Sequence, residues 1–394
     1  MRLRGLTSAV PLVWRMVELR QTSSSAPTAE FSSRFGARVS DGQFGEVVGG
    51  YTGSLPISDL DMMADEQFGS PMHVSQSTSE ADPNTSDARA TPSGLVTAGT
   101  CFGYAIQAPR TFTSLRQGSG TALTLREDGT EPEDPGEPLF HWTDDGRDVV
   151  RLYVENDRYR LWMDGGDWFS VDPGQLSITS TRPVDDAKQE ARALGFPAAL
   201  CFMHRGDLAM HASGVDVEGS ALLFAAPGLH GKTTLAGAFV REGFRLLSED
   251  TTCYRPGLEP AALPGLAMLR IRRDVYEQLE MRHTTVVRED PDRVFLSVDQ
   301  SLRGDSSPVP IRGVVFLRRS EDDDIRIERI PAERAFPDLW SLIFRLPYDE
   351  DRARCFAGIA ELSRSVPIWN LHRRFSIEEL PSLVDRLVST CTSA

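Results

Sequence analysis

The chain has 394 residues and a net charge of −15. This length is enough for a large hydrophobic core or for two domains, and the acidic balance argues against a protein that binds nucleic acid through a general basic surface. No stretch approaches the roughly 20 apolar residues of a membrane helix, and the five cysteines are widely spaced without a C-x-x-C pair, which favours reduced thiols. We therefore expect a cytoplasmic protein with no nucleic-acid and no membrane partner.

Residues 1–98 are expected to be a largely disordered tail and linker. The start, MRLRGLTSAVPLVWRM, imitates a secretory signal, but Pro11 and Arg15 interrupt its short apolar stretch. Two segments rich in serine and threonine follow, and the second, VSQSTSEADPNTSDARATPSG, has almost no apolar residue to bury. Such a composition cannot offset the entropy lost on folding.

Residues 99–199 are expected to form a β-rich accessory domain. Short alternating runs such as TALTLRE, DWFSVD and QLSITST are separated by Gly, Asp, Asn and Pro, a pattern typical of strands joined by turns. We predict a small antiparallel layer with Tyr153, Trp162 and Trp168 in its core. DDAKQEARALG then predicts a helix that ends at Gly195.

From residue 200 the pattern predicts a βαβ unit. LAMHASGVDV and SALLFAA are two strand-like runs joined by a turn at Glu218 and Gly219. After a loop, KTTLAGAFVREG has the apolar spacing of a helix, and FRLL is a buried-strand run that ends in SED. Ligands collect at the carboxyl ends of the strands in such a unit. The loop and the acidic pair Glu249–Asp250 must both lie at that edge.

The loop APGLHGKTT resembles the phosphate-binding template G-x-x-x-x-G-K-[ST]. Ala226 replaces the first glycine, and Leu229 stands where the G-x-x-G-x-G-K version has another. Loops of this kind bind phosphates through backbone N–H groups, a lysine and a hydroxyl on Mg²⁺. The chain has only two lysines, so a lysine at this position argues against an ordinary strand-to-helix turn, which is the alternative. The predicted contact residues are Ala226, Pro227, Gly228, Leu229, His230, Gly231, Lys232, Thr233 and Thr234.

Residues 208–254 resemble the HPr kinase/phosphorylase-like kinases, which are relatives of ATP-dependent phosphoenolpyruvate carboxykinase. The histidine, the loop and the acidic pair stand in the family's order and at similar spacing, and LPGLAMLRIRR, RGVVFLRR and VPIWNLHRRF continue the likeness weakly. The resemblance implies an α/β fold with a P-loop-containing mixed sheet of the HPr kinase/carboxykinase type. Residues 200–394 would form its nucleotide-binding domain, after the β-rich segment and the disordered N-terminal region.

The resemblance also implies roles for five residues. Lys232 would neutralise the β- and γ-phosphates of ATP, and Thr233 would ligate Mg²⁺. Asp250 would complete the metal site, whereas Glu249, at a position where these kinases usually have aspartate, would take the proton from the accepting hydroxyl. His211 would lie near the γ-phosphate. The alternatives are a structural role for His211 and a solvated strand end for the acidic pair.

Arg270, Arg272 and Arg273 form a basic cluster in MLRIRRD. Arginine binds polyphosphate through bidentate hydrogen bonds, and Arg270 and Arg272 would share one face of a strand. They are predicted nucleotide contacts, with an outward, salt-bridged edge as the alternative.

Two features of the related enzymes have no counterpart in this sequence. One is the signature segment that HPr kinases associate with phosphorolysis, and the other is the metal and oxaloacetate constellation of the carboxykinases. This favours a kinase-like relative with another substrate, and such relatives include enzymes that phosphorylate a serine of a precursor peptide in natural-product pathways. We therefore expect ATP- and Mg²⁺-dependent transfer to a hydroxyl, with a peptide or protein serine preferred. The alternatives are a nucleotide-binding module without catalysis and a small-metabolite kinase, and homo-oligomer formation is left open.

Overall fold

The computed structural model describes residues 94–391 except 132, 134, 135, 145, 146, 229, 322 and 323. The expectation of a disordered tail therefore lies outside the described residues up to residue 93. The predicted end of the tail at residue 98 is wrong, because the first strand already begins at Val96. The described residues all belong to one compact unit, and a domain boundary near residue 200 stays a prediction.

The first sheet has eight strands, all between residues 96 and 180. They are β1 (Val96–Cys101), β2 (Tyr104–Ala108), β3 (Thr121–Glu127), β4 (Phe140–Asp144), β5 (Arg147–Glu155), β6 (Arg158–Met163), β7 (Asp167–Asp172) and β8 (Ser177–Ser180). Their spatial order is β1-β2-β3-β8-β7-β6-β5-β4. The predicted antiparallel layer is confirmed for most pairs but is wrong at β3, which runs parallel to both β2 and β8.

The core of this sheet differs in part from the prediction. Leu161 and Phe169 are fully buried on the inner face, whereas their chain neighbours Trp162 and Trp168 are half-buried and pair with each other on the opposite face. Tyr153 is buried as predicted, with its ring centroid 5.8 Å from that of Trp168. Successive strand residues point to opposite faces, so choosing the tryptophans of β6 and β7 selected the wrong face.

Two helices follow the sheet, α1 (Ala187–Ala193) and α2 (Phe196–His204). Helix α1 confirms the predicted helix, and the Asp186 carboxylate caps it by accepting from the backbone N–H groups of Lys188 and Gln189. Helix α2 was not predicted. Its residues are buried almost all round, so it has no apolar stripe that a periodic pattern could reveal.

The second half of the described chain contains thirteen strands and five α-helices. In chain order these are β9 (Leu208–Met210), β10 (Ala212–Val217), β11 (Ser220–Ala225), α3 (Lys232–Arg241), β12 (Arg245–Ser248), β13 (Thr252–Arg255), β14 (Ala261–Leu263), β15 (Met268–Arg272), α4 (Arg273–Leu279), β16 (Thr284–Glu289), β17 (Arg293–Val298), β18 (Val309–Arg319), β19 (Arg326–Ile330), α5 (Ala332–Leu342), β20 (Ile343–Phe344), α6 (Asp349–Ser365), β21 (Ile368–Arg373) and α7 (Leu380–Cys391). A short 3₁₀ turn spans Gln300–Leu302.

A ten-stranded mixed sheet forms the centre of this half, and β15, β17 and β16 form a separate three-stranded antiparallel sheet. Strand β11 lies between antiparallel β10 and parallel β18, and β21 lies parallel to β18. Because β12 pairs antiparallel with β10, it runs in the same direction as β11. The predicted βαβ unit is therefore present with β10 inserted between its two strands, and β11, β12, β18 and β21 all end at one edge.

The hairpin before the loop has the predicted turn. Val217 pairs with Ser220, and Glu218 and Gly219 between them both have positive φ angles, 53° and 83°. Two central residues with positive φ match the right-handed twist of a two-residue hairpin. This turn aligns β11 and therefore sets where the loop begins.

The large sheet is buried on both faces. Along β11, Leu222 and Phe224 pack with α3 and α7, whereas Leu223 and Ala225 pack with α5 and α6. A strand covered on both faces reads as a continuous apolar run. None of the described helices is long and apolar enough to cross a membrane, and the five cysteines are free and buried.

Candidate functional site

The loop that resembles the phosphate-binding template joins β11 to α3. Gly231 caps the helix in the left-handed conformation, with φ 86° and ψ 20°, where a side chain would be strained. No side chain caps the first turn, so its backbone N–H groups remain available to an anion. Ala226 is buried, with 1% exposure, and Leu229 lies outside the described residues.

Lys232 is the first residue of α3, and its side chain folds back against the loop. The side chain is 5% exposed, and its Nζ donates to the carbonyl oxygens of Ala226 (2.8 Å) and Pro227 (3.2 Å) and to Nε2 of His211 (3.0 Å). Burial lowers the pKa of the ammonium group. The lysine is thus held against the loop backbone, at the lining of the cleft that the loop forms.

His211 connects the lysine to the acidic pair. Its Nε2 accepts from Lys232, so the proton is assigned to Nδ1, which donates to the backbone oxygen of Asp250 at 3.1 Å. Burial is the main cause that lowers the pKa of this imidazole to about 3. The ring is neutral at physiological pH. Both the structural and the functional interpretation of His211 are compatible with this position.

The low pKa of His211 predicts a loss of stability in mild acid. The unfolded chain binds a proton at this histidine below about pH 6.5, and the folded chain does not until about pH 3. The free energy of unfolding should therefore fall by about 1.4 kcal/mol per pH unit below 6.5 from this group alone. Urea unfolding between pH 5 and 7.5 should show a steeper loss for the wild type than for His211→Gln. Parallel profiles for the two proteins would contradict the assignment.

The acidic pair directly follows β12 and contacts both α3 and β15. The Thr233 hydroxyl donates to Oε1 of Glu249 at 2.6 Å, and Nε of Arg270 donates to Oε2 at 2.8 Å. Nη2 of Arg270 donates to Oδ2 of Asp250 at 3.1 Å. Asp250 has a φ of 66°, a strained value for a residue with a side chain. The loop hydroxyl therefore contacts Glu249, the first acid of the pair.

Opposite charges in this cluster stabilise each other's ionised forms. Burial tends to lower the pKa of the Arg270 guanidinium, but Glu249 and Asp250 outweigh burial and raise it. Burial likewise tends to raise the pKa of Asp250, but Nδ1–H of His211, 3.4 Å from its Oδ1, and the cations Arg270 and Lys232 hold it below its usual value. Asp250 is therefore ionised at neutral pH.

These residues line a cleft of about 510 Å³, which we call the nucleotide cleft because a nucleotide is its predicted ligand. All described residues of the predicted site border it except Ala226 and Pro227, which contact Lys232 through their carbonyl groups. Its cationic side chains outnumber its carboxylates eight to three, in a chain whose net charge is −15. The cations are Lys232, Arg270, Arg272, Arg293, Arg318, Arg319, Arg373 and Arg374, and the carboxylates are Glu249, Asp250 and Asp274.

Three predicted site residues border the cleft less directly, two of them at exposed positions and one at a buried position. Arg272 borders the cleft together with Arg270, as the strand pattern predicted, but its side chain is 56% exposed and pairs with Asp274. His230 is exposed, and its Nδ1 lies 2.8 Å from the carbonyl oxygen of Gly228. Thr234 is buried at the start of α3.

Arg373 is a cleft residue that the sequence did not single out. It ends β21 with 5% exposure, and its buried Nη2 has no hydrogen-bond partner among the described residues. Nη2 lies 3.1 Å from the point that a Cβ on Gly231 would occupy, and the guanidinium lies 5.5 Å from the ring of Phe375. Burial lowers its pKa to about 10. Arg373 forms no ion pair among the described residues, and a buried guanidinium without a close carboxylate is costly. The sequence signal for this residue was HRR after a buried strand.

The comparisons with known proteins add little to this geometry. No protein-family model matches the chain, and no curated protein matches it. A structural neighbour is the HPr(Ser) kinase/phosphatase from Coxiella burnetii, at 12% identity and a TM-score of 0.26, with 46% of this chain and 93% of that chain covered. A likeness at this level is weak and carries no argument for family or activity. The fold itself is mixed α/β with two large mixed sheets.

Proposed function

We propose that this protein is an ATP-dependent phosphotransferase that acts on a hydroxyl group. One observation supports the proposal most: a lysine, a hydroxyl and two carboxylates meet at the strand ends of a cleft in which cations dominate. A triphosphate is the kind of ligand that such a cleft attracts. In phosphoryl transfer the protein mainly positions groups and neutralises charge, and these residues suit both tasks.

The nucleotide phosphates would be held by backbone and cations together. The uncapped first turn of α3 offers N–H groups at the positive end of the helix. Lys232 would exchange its contacts with the loop carbonyls for phosphate oxygens, and the unpartnered Nη2 of Arg373 would donate to another. ATP bound in this way supplies the phosphoryl group.

The oxygen donors near the end of β12 fit a magnesium ion that is bound partly by the protein and partly by the phosphates of the nucleotide. Among the described residues, no group of three or more His, Cys, Asp or Glu side chains could hold a metal. Mg²⁺ commonly takes only one or two carboxylates plus substrate phosphates and water. The Thr233 hydroxyl and the Glu249 carboxylate, 2.6 Å apart, would supply the protein ligands, and bound Mg²⁺ would neutralise phosphate charge.

The contact between Thr233 and Glu249 favours roles for the two acidic residues that are the reverse of those that the resemblance implies. Glu249 is engaged by Thr233 through one oxygen and by Arg270 through the other, which suits the metal side of the site. Asp250 is ionised and has a side-chain exposure of 19%, compared with 7% for Glu249. We therefore propose that Asp250 accepts the proton of the acceptor hydroxyl and that Glu249 is a ligand of the metal ion.

The test of the proposed function is transfer of label. Full-length protein is incubated with γ-labelled ATP, Mg²⁺ and cognate cell extract, and the labelled product is separated into peptide, protein and small-molecule fractions. We expect label on a serine of a peptide or protein. Label on small molecules alone would identify a metabolite kinase, and binding of Mg-ATP without any transfer would favour a module without catalysis.

Arg373 gives a prediction in which affinity and stability move in opposite directions. A hydrogen bond to a charged group contributes about 1.5–3 kcal/mol, so Arg373→Gln should weaken Mg-ATP binding by about 10- to 100-fold. The same change removes a buried charge that forms no ion pair among the described residues, so the melting temperature should stay level or rise. Calorimetric titration and a thermal melt measure the two effects. Arg352→Gln, on the exposed face of α6, is the control, and equal affinity in both variants would exclude Arg373 from the site.

A further inference from the structure

A second cavity, of about 300 Å³, meets the nucleotide cleft at the acidic pair. Both are bounded by Glu249, Asp250, Arg270 and Arg293. The second cavity reaches these residues from the side of the first sheet, through Val149, Val150, Met163 and helix α1. An acceptor must approach the γ-phosphate roughly in line with the leaving group, and a cavity at the same carboxylates provides a separate path to it.

The walls of this cavity are mainly apolar. Its apolar lining residues come from the first sheet, from α1 and α2, and from the segment around β15 and β17, and they include Val150, Met163, Phe196, Leu266, Met268 and Phe295. Pockets that hold small ligands are typically apolar with a few convergent polar groups. Here the convergent polar groups are the acidic pair and its two arginines.

Four cationic side chains and five carboxylates border this cavity, so its charges nearly balance. Three of its cations form ion pairs with carboxylates that also border it: Lys188 with Asp290, Arg192 with Asp164, and Arg270 with Glu249 and Asp250. Paired charges attract a further anion weakly. The nucleotide cleft, in contrast, has an excess of cations. The two cavities therefore suit ligands of different charge.

We propose that the second cavity holds the phosphate acceptor, and that this acceptor carries its hydroxyl beside an uncharged, apolar group. The inference rests on the phosphotransferase function proposed above. A volume near 300 Å³ equals about ten water molecules, enough for one large side chain next to a peptide serine. In the transfer, the acceptor oxygen bonds to the γ-phosphorus as the bond to the bridging oxygen of ADP breaks. ADP keeps that electron pair, and the hydroxyl proton passes to Asp250.

The first test compares acceptors that differ only beside the serine. The probes are acetyl-Gly-X-Ser-Gly-amide peptides with X as Leu, Phe, Glu or Lys, and 2-phenylethanol as a small apolar alcohol. Burial of one apolar side chain should raise kcat/KM for the Leu and Phe peptides about 10- to 100-fold over the Glu and Lys peptides. Phosphorylation of 2-phenylethanol but of no peptide would assign the same chemistry to a small molecule. Preference for a charged neighbour would overturn the proposal.

The second test fills the cavity. Ala191 borders it on α1, so Ala191→Leu should raise KM for the Leu peptide about tenfold. The matched control is Ala353→Leu, at an exposed position of α6. Val149→Phe narrows the cavity from the side of the first sheet, and it replaces Ala191→Leu in this test if that variant does not fold. A wild-type KM in a folded cavity variant would sink the assignment.

Binding separates the failure of this inference from the failure of the proposed function. Calorimetric titration of the peptides, with a non-hydrolysable ATP analogue present, needs no turnover. If the wild type binds no Mg-ATP, the phosphotransferase proposal fails and this inference fails with it. If the wild type binds Mg-ATP and phosphorylates only charged peptides, the enzyme assignment stands and the apolar acceptor is rejected.

Discussion

Replacing Lys232 by alanine is expected to lower the affinity for Mg-ATP by about 100-fold, because charge-assisted hydrogen bonds contribute about 1.5–3 kcal/mol and the buried site strengthens them. The ammonium group now donates to the carbonyl oxygens of Ala226 and Pro227 inside the loop. Phosphate oxygens placed at the same loop would compete for these donors. Isothermal titration of Mg-ATP into the purified full chain measures the effect.

The control for this prediction must show that the loop still folds. Lys232→Met keeps most of the volume of the side chain and should lose affinity to a similar extent as Lys232→Ala. Arg241→Ala removes a cation from the last turn of the same helix and should bind Mg-ATP as the wild type does. Thermal melts of all three establish that they are folded. Unchanged affinity in a folded Lys232 variant would leave no basis for the nucleotide site.

Neutralising Asp250 and neutralising Glu249 are expected to impair phosphoryl transfer in different ways. Asp250→Asn keeps the size of the side chain but removes its basicity, so transfer should fall by about 100-fold or more while Mg-ATP still binds. Glu249→Gln weakens the carboxylate that contacts Thr233 at 2.6 Å, so the activity that remains should need a higher Mg²⁺ concentration. Initial rates against Mg²⁺ concentration separate the two behaviours.

Glu249→Asp distinguishes the metal role from a simple requirement for charge. It keeps the carboxylate but shortens its reach to Thr233 and Arg270 by one methylene, and a displacement of about 1 Å can cost on the order of 100-fold. If Glu249→Gln instead keeps the wild-type Mg²⁺ dependence and loses transfer, the roles follow the resemblance, with Glu249 as the base. Full activity in both Glu249→Gln and Asp250→Asn would remove the pair from the mechanism.

The sequence by itself determined the local parts of this site. The loop, helix α3 and the end of β12 lie within one short segment, and their patterns follow the helical period and the template of a phosphate-binding loop. Gly231 illustrates the reason, since its left-handed conformation depends on the backbone of its own turn. The prediction that Glu249 and Asp250 meet this loop followed from strand direction alone and is confirmed by their common cleft.

Only the tertiary structure decided which distant side chains complete the site. Arg373 reaches Gly231 because β21 pairs parallel with β18, which in turn pairs parallel with β11, and no local pattern encodes that order of strands. The proposed exchange of roles within the acidic pair rests on rotamers and on the positive φ of Asp250, which a sequence does not display. The second cavity likewise exists because the first sheet and α1 pack beside β15 and β17. Strand order, side-chain direction and packing are long-range properties, since each is set by partners that lie far apart in the chain.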